Sequence, residues 1–175
     1  PGLYRNVALL DFKSLYPSIM RTFRIDPLGL WAPGADPVEG FLGAQFARDG
    51  AILPALIDDL WDARDAAKAQ RNAPLSQAIK IIMNAFYGVL ASTGCRFYDP
   101  RLASSITRRG HEVLKRSRDY LADRGLHVIY GDTDSLFVAL DDGLSVADAR
   151  LEGQSLAREL NAWWDQNIAD EHRVT

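Results

Sequence analysis

The sequence predicts an α+β fold that combines a tight β-hairpin with a two-helix antiparallel hairpin. Three observations predict it. Tyr130 to Ser135, YGDTDS, lies between the apolar runs HVI and LFVAL and reads as a tight β-hairpin. Leu53 to Gln70 and Pro74 to Leu90 have helical apolar spacing and are joined only by the turn Arg71-Asn72-Ala73, the pattern of an αα-hairpin. The order of elements is βα, αα, α, ββ, α, which implies an α+β arrangement.

Taken in chain order, Val7-Ala8-Leu9-Leu10 forms a strand over about residues 6 to 11 that ends in Asp11. Phe12, Lys13 and Ser14 lead into SLYPSIM, a short helix from Leu15. Asp26 to Gly50 is rich in Pro and Gly and reads as an irregular excursion. In Pro74 to Leu90 the apolar positions Leu75, Ala78, Ile79, Ile82, Met83, Phe86 and Leu90 mark the core side, while Lys80, Asn84, Tyr87 and Gly88 stack along another. Asp99 suits an N-cap, Pro100 a first turn and Gly125 a left-handed stop, so one helix spans most of that interval. Ser145 caps a last amphipathic helix through Leu156, Leu160, Trp163 and Trp164, whose tryptophans read as core contacts.

Composition sets limits. The chain has 175 residues, 47% hydrophobic and 25% charged, enough for a packed core. A single cysteine, Cys95, excludes an intrachain disulfide and a cysteine metal cluster, and reads as a buried, inert thiol. No apolar run reaches membrane-spanning length and the first residues carry no signal-peptide core, which points to a cytoplasmic protein. The net charge of −3 is unfavourable for binding nucleic acid, but the cations cluster. Arg64, Lys68, Arg71 and Lys80 lie in the helical hairpin, and Arg96, Arg101, Arg108, Arg109, Lys115, Arg116 and Arg118 crowd the next segment, where Lys115 to Arg118 reads as a solvated face.

The chemistry resides in three segments. Strand alternation sends Asp132 and Asp134 to one face of the hairpin, and two anions that close call for a cation. Mg²⁺ takes one or two protein carboxylates together with phosphate oxygens. Asp11 supplies a further carboxylate at a strand end, followed at once by a helix start whose amides and dipole favour phosphate. In the helical hairpin, Lys80 offers a point charge, Tyr87 a stacking surface, and Gly88 room for another backbone. Each segment alone has a plain structural reading: an Asp-rich turn, a capped helix, a helix with one solvated Lys. The three together do not.

In this order, DFKSLYPS, KIIMNAFYG and YGDTDS resemble the three polymerase motifs of the family B DNA polymerases, and the surrounding sequence is most similar to the bacterial polymerase II branch of that family. The resemblance continues through GAILPALIDDLWDARDAAKAQ, like the first fingers helix, and CRFYDPRLASSITRRGH, like the palm helix. Ala85 stands where many members have Ser. The resemblance implies a polymerase palm, a ferredoxin-like antiparallel sheet with helices on one face, in residues 1–50 and 93–175, with a two-helix antiparallel fingers hairpin inserted as residues 51–92. It also implies an excised fragment lacking the N-terminal, exonuclease and thumb domains, one that extends primers poorly alone.

The implied activity is template-directed DNA synthesis, transferring a deoxynucleotidyl group from a deoxynucleoside triphosphate to a primer 3′-hydroxyl. Two Mg²⁺ ions, replaceable by Mn²⁺ and roughly 3.5–4 Å apart, would stabilise the attacking and leaving oxygens. By resemblance Asp11 and Asp134 bridge both ions, Phe12 lends a backbone carbonyl and Asp132 supports. Ser14 and Leu15 offer amides to the triphosphate, and Arg64, Lys68 and Lys80 reach its phosphates. Tyr16 lies against the sugar as a steric gate, Asn84, Tyr87 and Gly88 border the nascent base pair, and Thr133 and Ser135 hold the turn. The implied partners are primer–template DNA and, for a full-length parent only, a sliding clamp; the implied place is the nucleoid of a bacterial cytoplasm, with no membrane association. Two rivals belong to other classes. A palm-type nucleotide cyclase needs no hairpin bearing Lys80, Asn84 and Tyr87. A retired polymerase kept as a DNA-binding or structural module tends to lose its acids, whereas Asp11, Asp132 and Asp134 are all present.

Overall fold

The computed structural model describes residues 2–172, with side chains as far as residue 169. In chain order the elements are β1 (Val7–Asp11), α1 (Leu15–Thr22), α2 (Pro27–Trp31), β2 (Val38–Glu39), β3 (Gln45–Phe46), α3 (Ile52–Ala69), α4 (Ala73–Leu90), α5 (Pro100–Ala122), β4 (His127–Asp132), β5 (Ser135–Ala139) and α6 (Val146–His172). The class is α+β, as the sequence predicts. The chain forms two compact units, one of residues 2–13 with 110 onward and one of residues 14–109.

The first unit is built on a three-stranded antiparallel sheet in the order β1-β5-β4. Val7 pairs with Ala139 and Asp11 with Ser135, so Ala8, Leu10, Leu136 and Val138 share one face. That face is covered: Leu10, Leu136 and Val138 are buried, and α6 crosses β1 so closely that a Cβ at Gly153 would lie 3.3 Å from that of Ala8. The opposite face is open, with Leu9 56% and Tyr130 58% exposed. The described sheet has three strands, one fewer than a ferredoxin-like sheet.

α6 is fastened through its aromatic side. The Trp164 indole donates to Ser117 Oγ at 2.8 Å, and that hydroxyl donates to the Val113 carbonyl at 2.7 Å. Leu156, Leu160 and Trp164 are buried, as expected of core residues. Ser145 caps the helix: its hydroxyl accepts from the Asp148 amide at 3.2 Å and donates to the Asp148 carboxylate at 2.7 Å. Gly125, at φ +77°, ends α5 as the sequence predicts.

In the second unit α3 and α4 form the helical hairpin, packed with α1. Asn72 caps α4 by accepting from the Leu75 amide at 3.1 Å. The buried stripe on α4 is Ile79, Met83 and Leu90, whereas the expected core positions Leu75 and Ile82 are 45% and 49% exposed. Neighbours cover only one narrow side of this helix, so its apolar content exceeds what the unit buries. The excursion from Asp26 to Gly50 is also more regular than expected. Asp26, 2% exposed, accepts from the Gly29 amide at 2.9 Å and from the Leu53 amide at 2.8 Å, capping α2 and pinning the first turn of α3. β2 and β3 close a small ladder in which Gly40 is required, since a Cβ there would sit 2.5 Å from the Phe46 ring and 2.7 Å from Ser105 Oγ.

Two side chains depart from their expected roles. Arg109 is not a surface cation: it is buried with its guanidinium 4.3 Å from the Phe23 ring and 5.1 Å from that of Phe41, donating to the Glu39 carbonyl at 2.9 Å. Cys95 is half-buried, not fully enclosed; its sulfur accepts from the Phe97 amide at 3.4 Å and borders an apolar cavity of about 310 Å³. The residues on either side, 92–94 and 96–98, are exposed, so the loop that carries the thiol does not seal it in.

Candidate active site

Asp11 closes β1 on the open face of the sheet, because Val7, Leu9 and Asp11 alternate with the covered Ala8 and Leu10. Across the ladder it faces Ser135, the first residue of β5, and Ser135 in turn faces Asp132, the last residue of β4. The order across the sheet end is therefore Asp11, Ser135, Asp132, with serine on the central strand. The Cα atoms of the two acids are separated by two strand spacings, roughly 9–10 Å.

Asp134 is not placed by strand alternation. It lies in the two-residue turn Thr133-Asp134, outside both strands. Thr133 holds that turn with φ +37°, unusual for a β-branched residue, and the Asp134 amide donates to the Asp132 carbonyl. The Asp134 carbonyl accepts from the Phe12 amide at 2.8 Å, tying the turn to the chain just beyond Asp11. The side chains follow. Ser135 Oγ lies 3.0 Å from Asp11 Oδ1 and 3.4 Å from Asp134 Oδ1, so these two carboxylates, 123 positions apart in sequence, contact one hydroxyl. Asp132 turns elsewhere: its Oδ1 accepts from the Thr133 hydroxyl at 3.0 Å.

The predicted residues of the second unit differ in their surroundings. Tyr16 and Tyr87 stack, their ring centroids 4.7 Å apart and inclined at 46°, which joins the start of α1 to α4. Ser14 takes φ 50°, ψ 57° at the start of α1 and makes no side-chain cap, contrary to the plain capping reading of that segment. Leu15 is buried beneath it. On α3 the Arg64 guanidinium has Nε and Nη1 buried without hydrogen-bond partners, while one turn on Lys68 is exposed and paired with Asp65 at 2.6 Å. On α4 Lys80 and Asn84 are exposed, and a Cβ added at Gly88 would meet nothing within 4 Å. Among the described residues no backbone approaches Gly88, so internal packing does not require the glycine.

Sequence reasoning gave Ser135 only a turn-holding part. Its place between Asp11 and Asp132 depends on the β1–β5 pairing, which no local pattern reports. Among the described residues no three acidic, His or Cys side chains converge closely enough to hold a metal ion by themselves.

Residues 42–172 match the model of DNA polymerase family B. The chain belongs to that family. It is 53% identical over 173 residues to DNA polymerase II of Escherichia coli (strain K12), covering 96% of this chain and 22% of that protein. Against the DNA polymerase of Thermococcus gorgonarius it is 31% identical over 154 residues, covering 79% of this chain and 20% of that one. Among solved structures it is similar to the family B DNA polymerase of the hyperthermophilic archaeon Pyrobaculum calidifontis, with a TM-score of 0.67 and 30% identity over 99% of this chain and 23% of that chain. The chain thus spans about a fifth of the length of each of these three relatives. Its acidic hairpin stands on an α+β frame, and no helix among the described residues is long and apolar enough to cross a membrane.

Proposed function

We propose that this chain is the catalytic palm and fingers portion of a polymerase II-like enzyme, one that transfers a deoxynucleotidyl group from a deoxynucleoside triphosphate to a primer 3′-hydroxyl under the direction of a template. The observation that carries the reading is the meeting of Asp11 and Asp134 at Ser135 on the open face of the sheet, in a chain of this family. Residues 1–50 and 93–175 are the palm and 51–92 the fingers.

The donor set fits a hard divalent cation. Mg²⁺ takes one or two protein carboxylates and completes its shell with water and substrate phosphate, so a pair of carboxylates suffices where a cage of three is lacking. Asp11 and Asp134 would hold two such ions, with the Phe12 carbonyl beside them and Asp132 supporting; Mn²⁺ would substitute. When bound, the ions would lower the pKa of the primer hydroxyl and offset the charge that develops on the leaving pyrophosphate.

The remaining tasks fall to the chain itself. The unpaired Arg64 nitrogens and the exposed Lys80 ammonium are suited to triphosphate oxygens, and Lys68 joins them by leaving Asp65. Ser14 and Leu15 give backbone amides at the start of α1. Tyr16, braced by Tyr87, lies against the sugar and leaves no room for a 2′-hydroxyl, while Asn84, Tyr87 and the bare Gly88 border the nascent base pair. Base choice comes from the template. Primer–template DNA and deoxynucleoside triphosphates are the partners, a sliding clamp belongs to a full-length parent, and the setting is the bacterial nucleoid.

Anomalous diffraction from crystals soaked in Mn²⁺ and a deoxynucleoside triphosphate tests the reading. The expected result is a metal peak in contact with carboxylates of both Asp11 and Asp134. Ordered triphosphate with no metal on either carboxylate would overturn it.

A further inference from the structure

The position of Ser135 carries an inference that rests on the reading of Asp11 and Asp134 as cation ligands. A serine hydroxyl has one proton and can donate it to one acceptor at a time. Of its two carboxylate neighbours, Asp11 Oδ1 at 3.0 Å is within ordinary hydrogen-bond range and Asp134 Oδ1 at 3.4 Å is beyond it for an O–H donor. The bond therefore goes to Asp11.

Asp11 needs such a bond. It is exposed and ends its strand, so burial does not restrict its carboxylate. It also stands near Asp134, which repels it. The two carboxylate oxygens can be no further apart than the two contacts to Ser135 laid end to end, so repulsion acts at short range. Thr133 serves Asp132 in the same way, one hydroxyl to one carboxylate.

We propose that Ser135 is a positioning residue of the carboxylate pair: its hydroxyl anchors Oδ1 of Asp11 from the central strand, holds that carboxylate within reach of Asp134 against their mutual repulsion, and leaves Oδ2 of Asp11 for the cation. The serine itself is not a ligand. Its side chain acts through Asp11, and the register of β1 against β5 puts it there.

The test is Mn²⁺ binding to the 175-residue chain without nucleotide, followed by loss of the free-ion electron paramagnetic resonance signal, in the parent sequence, Asp11→Ala, Asp134→Ala, Ser135→Ala and Ser135→Thr. The relevant sites are those that Asp11→Ala and Asp134→Ala remove. At these sites Ser135→Ala is expected to weaken Mn²⁺ about three- to tenfold, the scale of one lost charge-assisted bond partly replaced by water. Ser135→Thr keeps the hydroxyl and is expected to bind within about twofold of the parent. Thermal unfolding of each variant accompanies the titration, so that lost affinity is read only from folded protein. Parent-like binding by Ser135→Ala, or Ser135→Thr as weak as Ser135→Ala, overturns the proposal while the cation reading stands. Unchanged Mn²⁺ binding in both aspartate variants overturns the cation reading and the proposal with it.

Discussion

At the level of single residues, the same side chain type serves different ends according to what its neighbours leave free. Asp26 is buried and committed to two backbone amides, Asp99 is joined to Arg101, and Asp11 with Asp134 stands at the open end of the sheet. The open pair is the one to which we assign the chemistry. In primer extension by an intact enzyme that contains this chain, Asp11→Ala and Asp134→Ala are each expected to lower nucleotide transfer by at least about a hundredfold, as loss of an electrostatic anchor in a transition state does, with circular dichroism unchanged. Activity equal to the parent in either variant would contradict the assignment. The Tyr16 ring is braced by Tyr87 at the start of α1, so Tyr16→Ala is expected to admit ribonucleotides while still incorporating deoxynucleotides. The ratio of the two incorporation rates checks it.

At the level of elements, helix ends decide much of the stability of the second unit. Asp26 satisfies two amides, one of them 27 positions along the chain, so Asp26→Ala leaves both buried donors without that acceptor. The expected cost is about 2–4 kcal/mol in denaturant unfolding, above the ~1 kcal/mol of an ordinary cap such as Ser145. Near the start of α5, the Asp99 carboxylate receives bonds from the Arg101 side chain and amide, and the guanidinium holds its pKa below the usual carboxylate value. A depressed folded-state pKa contributes stability that is present above the unfolded pKa and is lost as pH falls through the folded one. Stability should therefore decline on acidification below about pH 4, and Asp99→Asn should flatten that part of the profile. Arg101 has its pKa raised, so it stays charged and adds nothing to this window.

For the molecule as a whole, net charge and its distribution bear on the DNA binding that we propose. Of the seven cations between Arg96 and Arg118, Arg101 pairs with Asp99, Arg109 is buried over two rings, Arg116 lies over Trp163 and Trp164, and Arg118 pairs with Asp119. Few remain for phosphates. Binding of primer–template DNA by this chain should therefore show a shallow salt dependence, with a slope of log K against log salt no steeper than about −4. A slope near about −8 would mean that these arginines leave their internal partners to reach the strand.

The helices other than α2, the acidic hairpin and the residue types of the site are legible in the amino-acid order, because helical periodicity, turn residues and caps such as Ser145 and Gly125 act over a few positions. Local physics suffices there. The family likewise follows from three short motifs. Contacts between residues distant in the chain are different, and the folded arrangement alone sets them. The pairing of β1 with β5 brings Asp11 to Ser135, and the turn at Thr133, not strand alternation, brings Asp134 to the same hydroxyl. Burial of Arg109 and exposure of Ile82 depend on which neighbours cover them. The bond from the Leu53 amide to Asp26 leaves no local pattern either, because it joins segments that meet only once the chain has closed the loop between them.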